Sequence, residues 1–203
     1  MTRTVSILLI LLAAAFLGLV PEAPVHVGTE SRYVLQTGSE FWIEGRTTVS
    51  GFTCTTEQAA GVAVLDRSSD PAGAPDFDAV IAVPVRSFDC GLRRMNRDLY
   101  EALRGEEYPA IRFALNGAAV DGTVAEGWTH VEAWGTLALA GAERPVRLRA
   151  EGQRLPDGRV RLRGAHTLQM TDFGVDPPSD PLGLVRARDR ITVHFDIHAA
   201  PAR

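Results

Sequence analysis

Lysine is absent from this chain: all 21 basic residues among its 203 are arginine. That excludes a Schiff-base lysine and the lysine of a phosphate-binding P-loop. Cysteine occurs only twice, at positions 54 and 90, too few for a four-cysteine zinc site. Aromatic residues make up 7%, so an aromatic stacking surface for bases is not indicated. The formal net charge is −4, whereas a duplex nucleic-acid binder carries a basic balance, so no nucleic-acid partner is expected. No G-x-S-x-G, H-E-x-x-H, G-x-G-x-x-G or Walker sequence occurs. With 45% hydrophobic and 23% charged residues the chain is nonetheless globular.

The N-terminus reads as an address. Arg3 precedes an almost uncharged run from Val5 to Val20, shorter than the roughly 20 residues a spanning helix needs. Residues 1–28 are read as a secretory signal, with the cleavage site open and an uncleaved anchor as the alternative. No cysteine follows the run, which excludes an acyl-lipoprotein anchor. Residues 29–203 then form one domain, periplasmic or secreted. In an oxidising compartment two thiols of one small domain more often pair than stay free. A Cys54–Cys90 disulfide is therefore expected, against two unpaired thiols or a catalytic cysteine; neither cysteine has a histidine within ten residues.

Hydrophobic periodicity points to strands with one helix. Extended runs are read at 32–37, 39–44, 59–66 and 77–85, with a polar loop at 68–73 and Pro84 marking a strand end. The period then changes: Leu92, Met95, Leu99 and Leu103 recur at helical spacing. An amphipathic helix is expected over 92–104, with Asp89 in the N-cap region, Gly105 as the stop and the apolar stripe facing a core. Period two resumes in Ile111/Phe113/Leu115, Val131–Leu139, Val146–Ala150, Val160–Gly164 and Val193–Ile197. One apolar and one polar face per strand is the mark of an antiparallel sheet with a wet side. So many strands cannot be covered by one short helix, so they form a sandwich or close into a barrel.

Three stretches carry a more specific signal. Asn96–Leu103 is followed by Tyr108-Pro-Ala-Ile-Arg-Phe113. Gly135-Thr-Leu-Ala-Leu-Ala-Gly141 is followed by Arg144-Pro-Val-Arg-Leu148. The third is Thr171-Asp-Phe-Gly-Val175. In this order and spacing they resemble the YceI-like family of exported, lipocalin-like lipid-binding proteins. The resemblance is to a cysteine-containing branch, whose first strand pair here runs from Phe41 to Cys54. It implies an all-β fold with one short amphipathic helix: an extended antiparallel lipocalin-like β-barrel of about eight strands. It further implies an apolar interior holding a polyprenyl or other long-chain lipid, with no cofactor and no metal. The residues expected to line that interior are Phe41, Ile43, Phe113, Leu115, Val131, Leu137, Leu139, Phe195 and Ile197, with Phe173 beside a strand. The expected function is sequestration or carriage of a polyisoprenoid, quinone-like or fatty acyl lipid, with transient membrane contact and an open oligomeric state. A hydrolase or isomerase using the same cavity and a ligand-free envelope protein with a solid interior are the alternatives.

Other polar groups fit this reading. His194 and His198 flank Asp196 on one strand, four residues apart, or roughly 13 Å. That is too far for one ion, and both are read as outer-face side chains. His130 and His166 are isolated in sequence. Arg147, Arg149, Arg159, Arg161 and Arg163 should share the outer face of two strands joined at the Pro156-Asp-Gly turn, read as plain barrel surface with contact to anionic lipid head groups or a diphosphate as the alternative.

Overall fold

The computed structural model describes residues 31–66, 76–124 and 127–202. The expected signal segment 1–28 and loop 68–73 lie outside the described residues. Strands form at β1 (Ser31–Leu35), β2 (Glu40–Arg46), β3 (Gly51–Thr56), β4 (Ala60–Asp66) and β5 (Asp76–Pro84). After one helix, α1 (Arg93–Ala102), come β6 (Ala110–Thr123), β7 (Thr129–Leu139), β8 (Ala142–Arg154), β9 (Val160–Gln169) and β10 (Arg190–Pro201). The helical stretch 92–104 and all five late strands thus stand where the periodicity puts them.

The strands pair antiparallel in the order β1-β4-β5-β6-β7-β8-β9-β10, and β10 returns to β1, closing a barrel of eight strands. β2 and β3 extend this ring rather than widen it. β1 and β2 lie one after the other along the same edge of β10, with Leu35 opposite Ala199 and Phe41 opposite Phe195. Together they are one long strand with a bend, and β3 and β4 run back beside it in the same way. The bend sits at Gly38 (φ 88°) and Ser39. The Ser39 hydroxyl is fully buried, donates to the Gln36 carbonyl at 2.8 Å and accepts the His198 N–H at 3.0 Å. It satisfies backbone groups that the interrupted ladder would otherwise leave bare.

Curvature is made by glycine facing aromatic rings. A Cβ at Gly135 would stand 2.2 Å from the Ala114 carbonyl oxygen and 2.7 Å from Phe113 Cζ. One at Gly164 would meet Phe195 Cζ at 2.6 Å. The missing side chains let both rings lie flat on the wall instead of projecting across the lumen. Gly135→Ala is expected to force β6 and β7 apart and to cost about 1–3 kcal/mol, measurable as a lower urea midpoint at unchanged slope.

The α1 end of the barrel is built by the segments that carry the sequence motifs. The Tyr108 ring covers Gly141 (φ 84°) at the β7–β8 turn, where a Cβ would be 2.4 Å from Tyr108 Cζ. Met170–Phe173 makes a 3₁₀ turn capped by Gly174 (φ 68°), with the Thr171 N–H and hydroxyl both donating to the Asp189 carboxylate at 2.9 and 2.7 Å. These two donors hold the Asp189 carboxyl below its usual range. The turn buries Met170, Phe173 and Val175.

The expected disulfide forms. Cys54 on β3 is joined to Cys90 just before α1, with Cα atoms 4.0 Å apart. Beside it, Thr55 and Asp89 exchange two backbone hydrogen bonds of 2.9 Å each. Asn96 of α1 accepts the Cys90 N–H at 2.7 Å and donates to Asp89 Oδ1 at 2.9 Å. Asp89 therefore organises the start of the helix from outside it, while the N-cap position itself is Leu92 and has no side-chain cap. At the other end the left-handed residue is Arg104 (φ 53°), not Gly105. Gly105 serves close packing instead: a Cβ there would lie 2.8 Å from Val85 Cγ1.

Candidate functional site: an apolar lumen

The apolar phase of every strand turns inward, yet the side chains do not meet in the middle. They enclose a cavity of about 1220 Å³ running through the barrel, larger than ordinary ligand pockets of about 300–1,000 Å³. A barrel with a solid interior is thereby excluded. Nine of the ten expected lining residues stand on its wall: Phe41, Ile43, Phe113, Leu115, Val131, Leu137, Leu139, Phe195 and Ile197.

Phe173 does not. It is 4% exposed and buried in the core cluster, and unlike Met170 and Val175 of the same segment it does not reach the cavity wall. Its segment leaves strand geometry, so period-two reasoning does not reach it. The helical stripe turns to the interior as expected: Leu103 belongs to the core cluster and Leu99 packs against it, while Leu92, Met95, Leu99 and Leu103 all border the lumen, Leu92 from an exposed position. Further lining residues are Phe52, Phe88, Leu148, Leu162, Leu168 and Val193. All but Phe88 lie on strands; Leu148, Leu162 and Val193 follow the alternation read from the sequence, Leu168 continues it along β9, and Phe52 lies on β3, which periodicity did not single out.

Polar groups on the wall are few and mostly at its ends. Arg94 and Asp98 pair at 3.6 Å on α1, and Arg154 stands at the opposite end of the barrel on β8. His166 is different: it lies on the inward phase of β9, opposite Val193, among aliphatic side chains. Burial holds its pKa below the ordinary histidine value of 6.5. The folded state thus binds fewer protons than the unfolded one around this site, so its contribution is intact above about pH 6.5 and declines as pH falls toward the folded pKa. Thermal melts from pH 7 to 5 should show a fall in Tm that His166→Phe reduces. His130 does not join it. Residue 130 is exposed on the outward phase of β7, paired in register with Glu151.

Among the described residues the other two histidines, His194 and His198, stay outside the lumen. The His194 ring stacks on Trp42 at 4.9 Å and lies 3.3 Å from Glu44, while Asp196 accepts Arg161 through two bonds. That bidentate pair lowers the Asp196 pKa and raises that of Arg161. Among the described residues no group of three or more His, Cys, Asp or Glu could hold a metal ion. The arginine stripe is on the outer face as expected, and four of its five members, all but Arg149, form ion pairs. Arg163 binds Glu151 at 2.7 Å with its guanidinium 4.0 Å over Trp128, and Arg159 binds Asp157 at 2.6 Å.

A closed eight-stranded antiparallel barrel around an apolar lumen, with a helix at one end, is a lipocalin-like barrel. The YceI-like domain profile matches residues 33–199, and the chain belongs to the YceI-like family. No curated protein matches its sequence. Among solved structures it is similar to BcnA of Burkholderia cenocepacia, with 17% identity and a TM-score of 0.61, covering 80% of this chain and 96% of that one. It is also similar to a polyisoprenoid binding domain from Saccharophagus degradans implicated in plant cell wall breakdown, with 15% identity, a TM-score of 0.65 and coverage of 84% and 98%. The Campylobacter jejuni YceI protein matches at 18% identity and a TM-score of 0.52, covering 74% and 84%. At these identities the structural likeness speaks for the fold.

Proposed function

We propose that the protein sequesters or carries a long-chain apolar lipid in its lumen, and that it does so after export to the periplasm or medium. The ligand class is a polyisoprenoid, a quinone-like lipid or a fatty acyl chain. The observation that carries this reading is the cavity of about 1220 Å³ with its aliphatic and phenylalanine wall. Each methylene moved from water into such a lumen contributes roughly 0.8 kcal/mol, so a chain of many methylenes is held without any directional contact. The polyisoprenoid-binding description of the Saccharophagus degradans relative supports the same class. Export is supported by Arg3 and the apolar run after it.

Binding is favoured over catalysis by the make-up of the wall. A hydrolase or isomerase needs several polar groups converging on one point, whereas His166 stands among aliphatic neighbours. The test is mass spectrometry of lipid extracted from protein purified out of a membrane-containing host. One long-chain lipid per barrel is expected. Protein that carries no lipid and takes up no added polyprenol would overturn the proposal.

A further inference from the structure

The rim of the lumen on the α1 side carries a surface that the interior does not explain. The turn between β2 and β3 runs beside the segment that precedes β10. Thr47 bridges Ala187, the Thr48 N–H donates to the Arg186 carbonyl at 2.9 Å, and the Thr48 hydroxyl donates to the Leu184 carbonyl at 3.1 Å. From these two joined loops project Val49, Leu182 and Leu184, which are 72%, 79% and 71% exposed. Single exposed aliphatic residues are ordinary; three on adjoining loop tips at one opening are not. Their neighbours Thr47, Ser50, Asp180, Val185 and Ala187 line the cavity, so the apolar tips crown its mouth.

Charge is arranged around them. Thr47 and Ala187 turn toward the lumen, so the alternate residues Arg46, Arg186 and Arg188 turn outward, and the Arg188 N–H donates to the Arg46 carbonyl at 2.7 Å. All three arginines are exposed, and none has an ion-pair partner among the described residues. Three acids share this segment: Asp180 accepts the Val185 N–H at 2.7 Å, Asp189 is held by Thr171, and Asp176 is exposed, and among the described residues none of them forms an ion pair with the three arginines. In the arginine stripe beside the β8–β9 turn four of the five, Arg147, Arg159, Arg161 and Arg163, have acidic partners, and only Arg149 has none among the described residues. In a chain of net charge −4, a cluster of unpaired cations beside protruding aliphatic side chains is a local feature with its own target.

We infer that this rim docks on an anionic phospholipid bilayer, with Val49, Leu182 and Leu184 entering the acyl boundary and Arg46, Arg186 and Arg188 meeting the head groups. The two groups match the two components of interfacial binding, buried apolar area and attraction to anionic lipid. The inference rests on the carrier reading, because it gives the lumen a place to exchange its ligand with a membrane.

Flotation of the purified protein with phosphatidylglycerol/phosphatidylcholine vesicles and with pure phosphatidylcholine vesicles tests it. Binding to the anionic vesicles only, weakened by salt, is expected. The triple variant Val49→Ser/Leu182→Ser/Leu184→Ser should lose that binding. Arg46→Gln/Arg186→Gln/Arg188→Gln should weaken it by about 100-fold, near fivefold per arginine. Circular dichroism checks that both variants fold, and extracted-lipid mass spectrometry on the same preparations reads the lumen. Equal binding to both vesicle types, or binding that survives in folded variants, overturns the inference. A wild-type dimer that the serine variant converts to monomer also overturns it, since a second copy then covers the leucines. Lipid-loaded protein that ignores vesicles overturns docking alone. Anionic docking by protein that never holds lipid supports the rim and sinks the carrier reading.

Discussion

Leu137→Arg is expected to yield a folded barrel that copurifies with no lipid. Leu137 sits on β7 with its side chain on the cavity wall, opposite Phe113 across the β6–β7 ladder. A guanidinium there faces space rather than packed atoms, because the lumen already holds about 1220 Å³ of volume. With water in the cavity the charge stays hydrated, and its stem lies along the wall with the head directed toward the mouth. A bound acyl or prenyl chain would displace that water and strip the charge, at a cost of several kcal/mol. Lipid occupancy should therefore collapse while the circular dichroism spectrum holds. Leu137→Met, which keeps volume and polarity, should retain lipid. Full occupancy in the Arg variant would mean that the chain lies elsewhere in the barrel.

The second large effect concerns the disulfide. Cys54 is 1% exposed, and its bond to Cys90 closes a loop with a sequence separation of 36. Removing it with Cys54→Ala/Cys90→Ala releases loop entropy in the unfolded chain worth roughly 3–4 kcal/mol. For a domain of this size that corresponds to a fall in Tm on the order of 10 °C. The local consequence is more specific. No residue of α1 itself is fully buried, and the helix contributes Met95 and Leu99 to the lumen wall. Its N-terminal attachment is the Thr55–Asp89 bridge, the Asn96 contacts and this disulfide. Without the bond the helix should open more often on the lumen it covers, a local event of low free energy. Hydrogen exchange over 92–104 should accelerate more than exchange in β7 and β8, and preloaded lipid should leave faster. Uniform acceleration across both regions would show that the disulfide stabilises the barrel as a whole.

How much of this was legible beforehand depends on the kind of residue. Val131, Leu137, Leu139, Phe195 and Ile197 were legible as wall because side chains on a strand alternate faces, and the apolar face of a closed sheet has nowhere to go but inside. Phe173 was not, because its 3₁₀ turn obeys neither period. Arg104 took the left-handed position expected of Gly105 because Gly105 is needed where Val85 leaves no room for a Cβ. That close approach joins two segments twenty residues apart, and no local pattern contains it.

The same division holds for the site. By itself the sequence determined the strands, their inward phase, one amphipathic helix and a pair of cysteines suited to bonding, since each follows from spacing of two, spacing of 3.6 or simple count. Tertiary structure decided that β1 and β2 form one bent strand along β10, that the helical stripe faces a lumen, and that His166 points in while His130 stays out. It also decided that the interior is a cavity. Periodicity specifies which side chains turn inward, but the distance between opposite walls is set by the number of strands and their stagger at closure. Here eight strands, with glycines at 135 and 164 that let two phenylalanine rings lie flat, hold those walls apart.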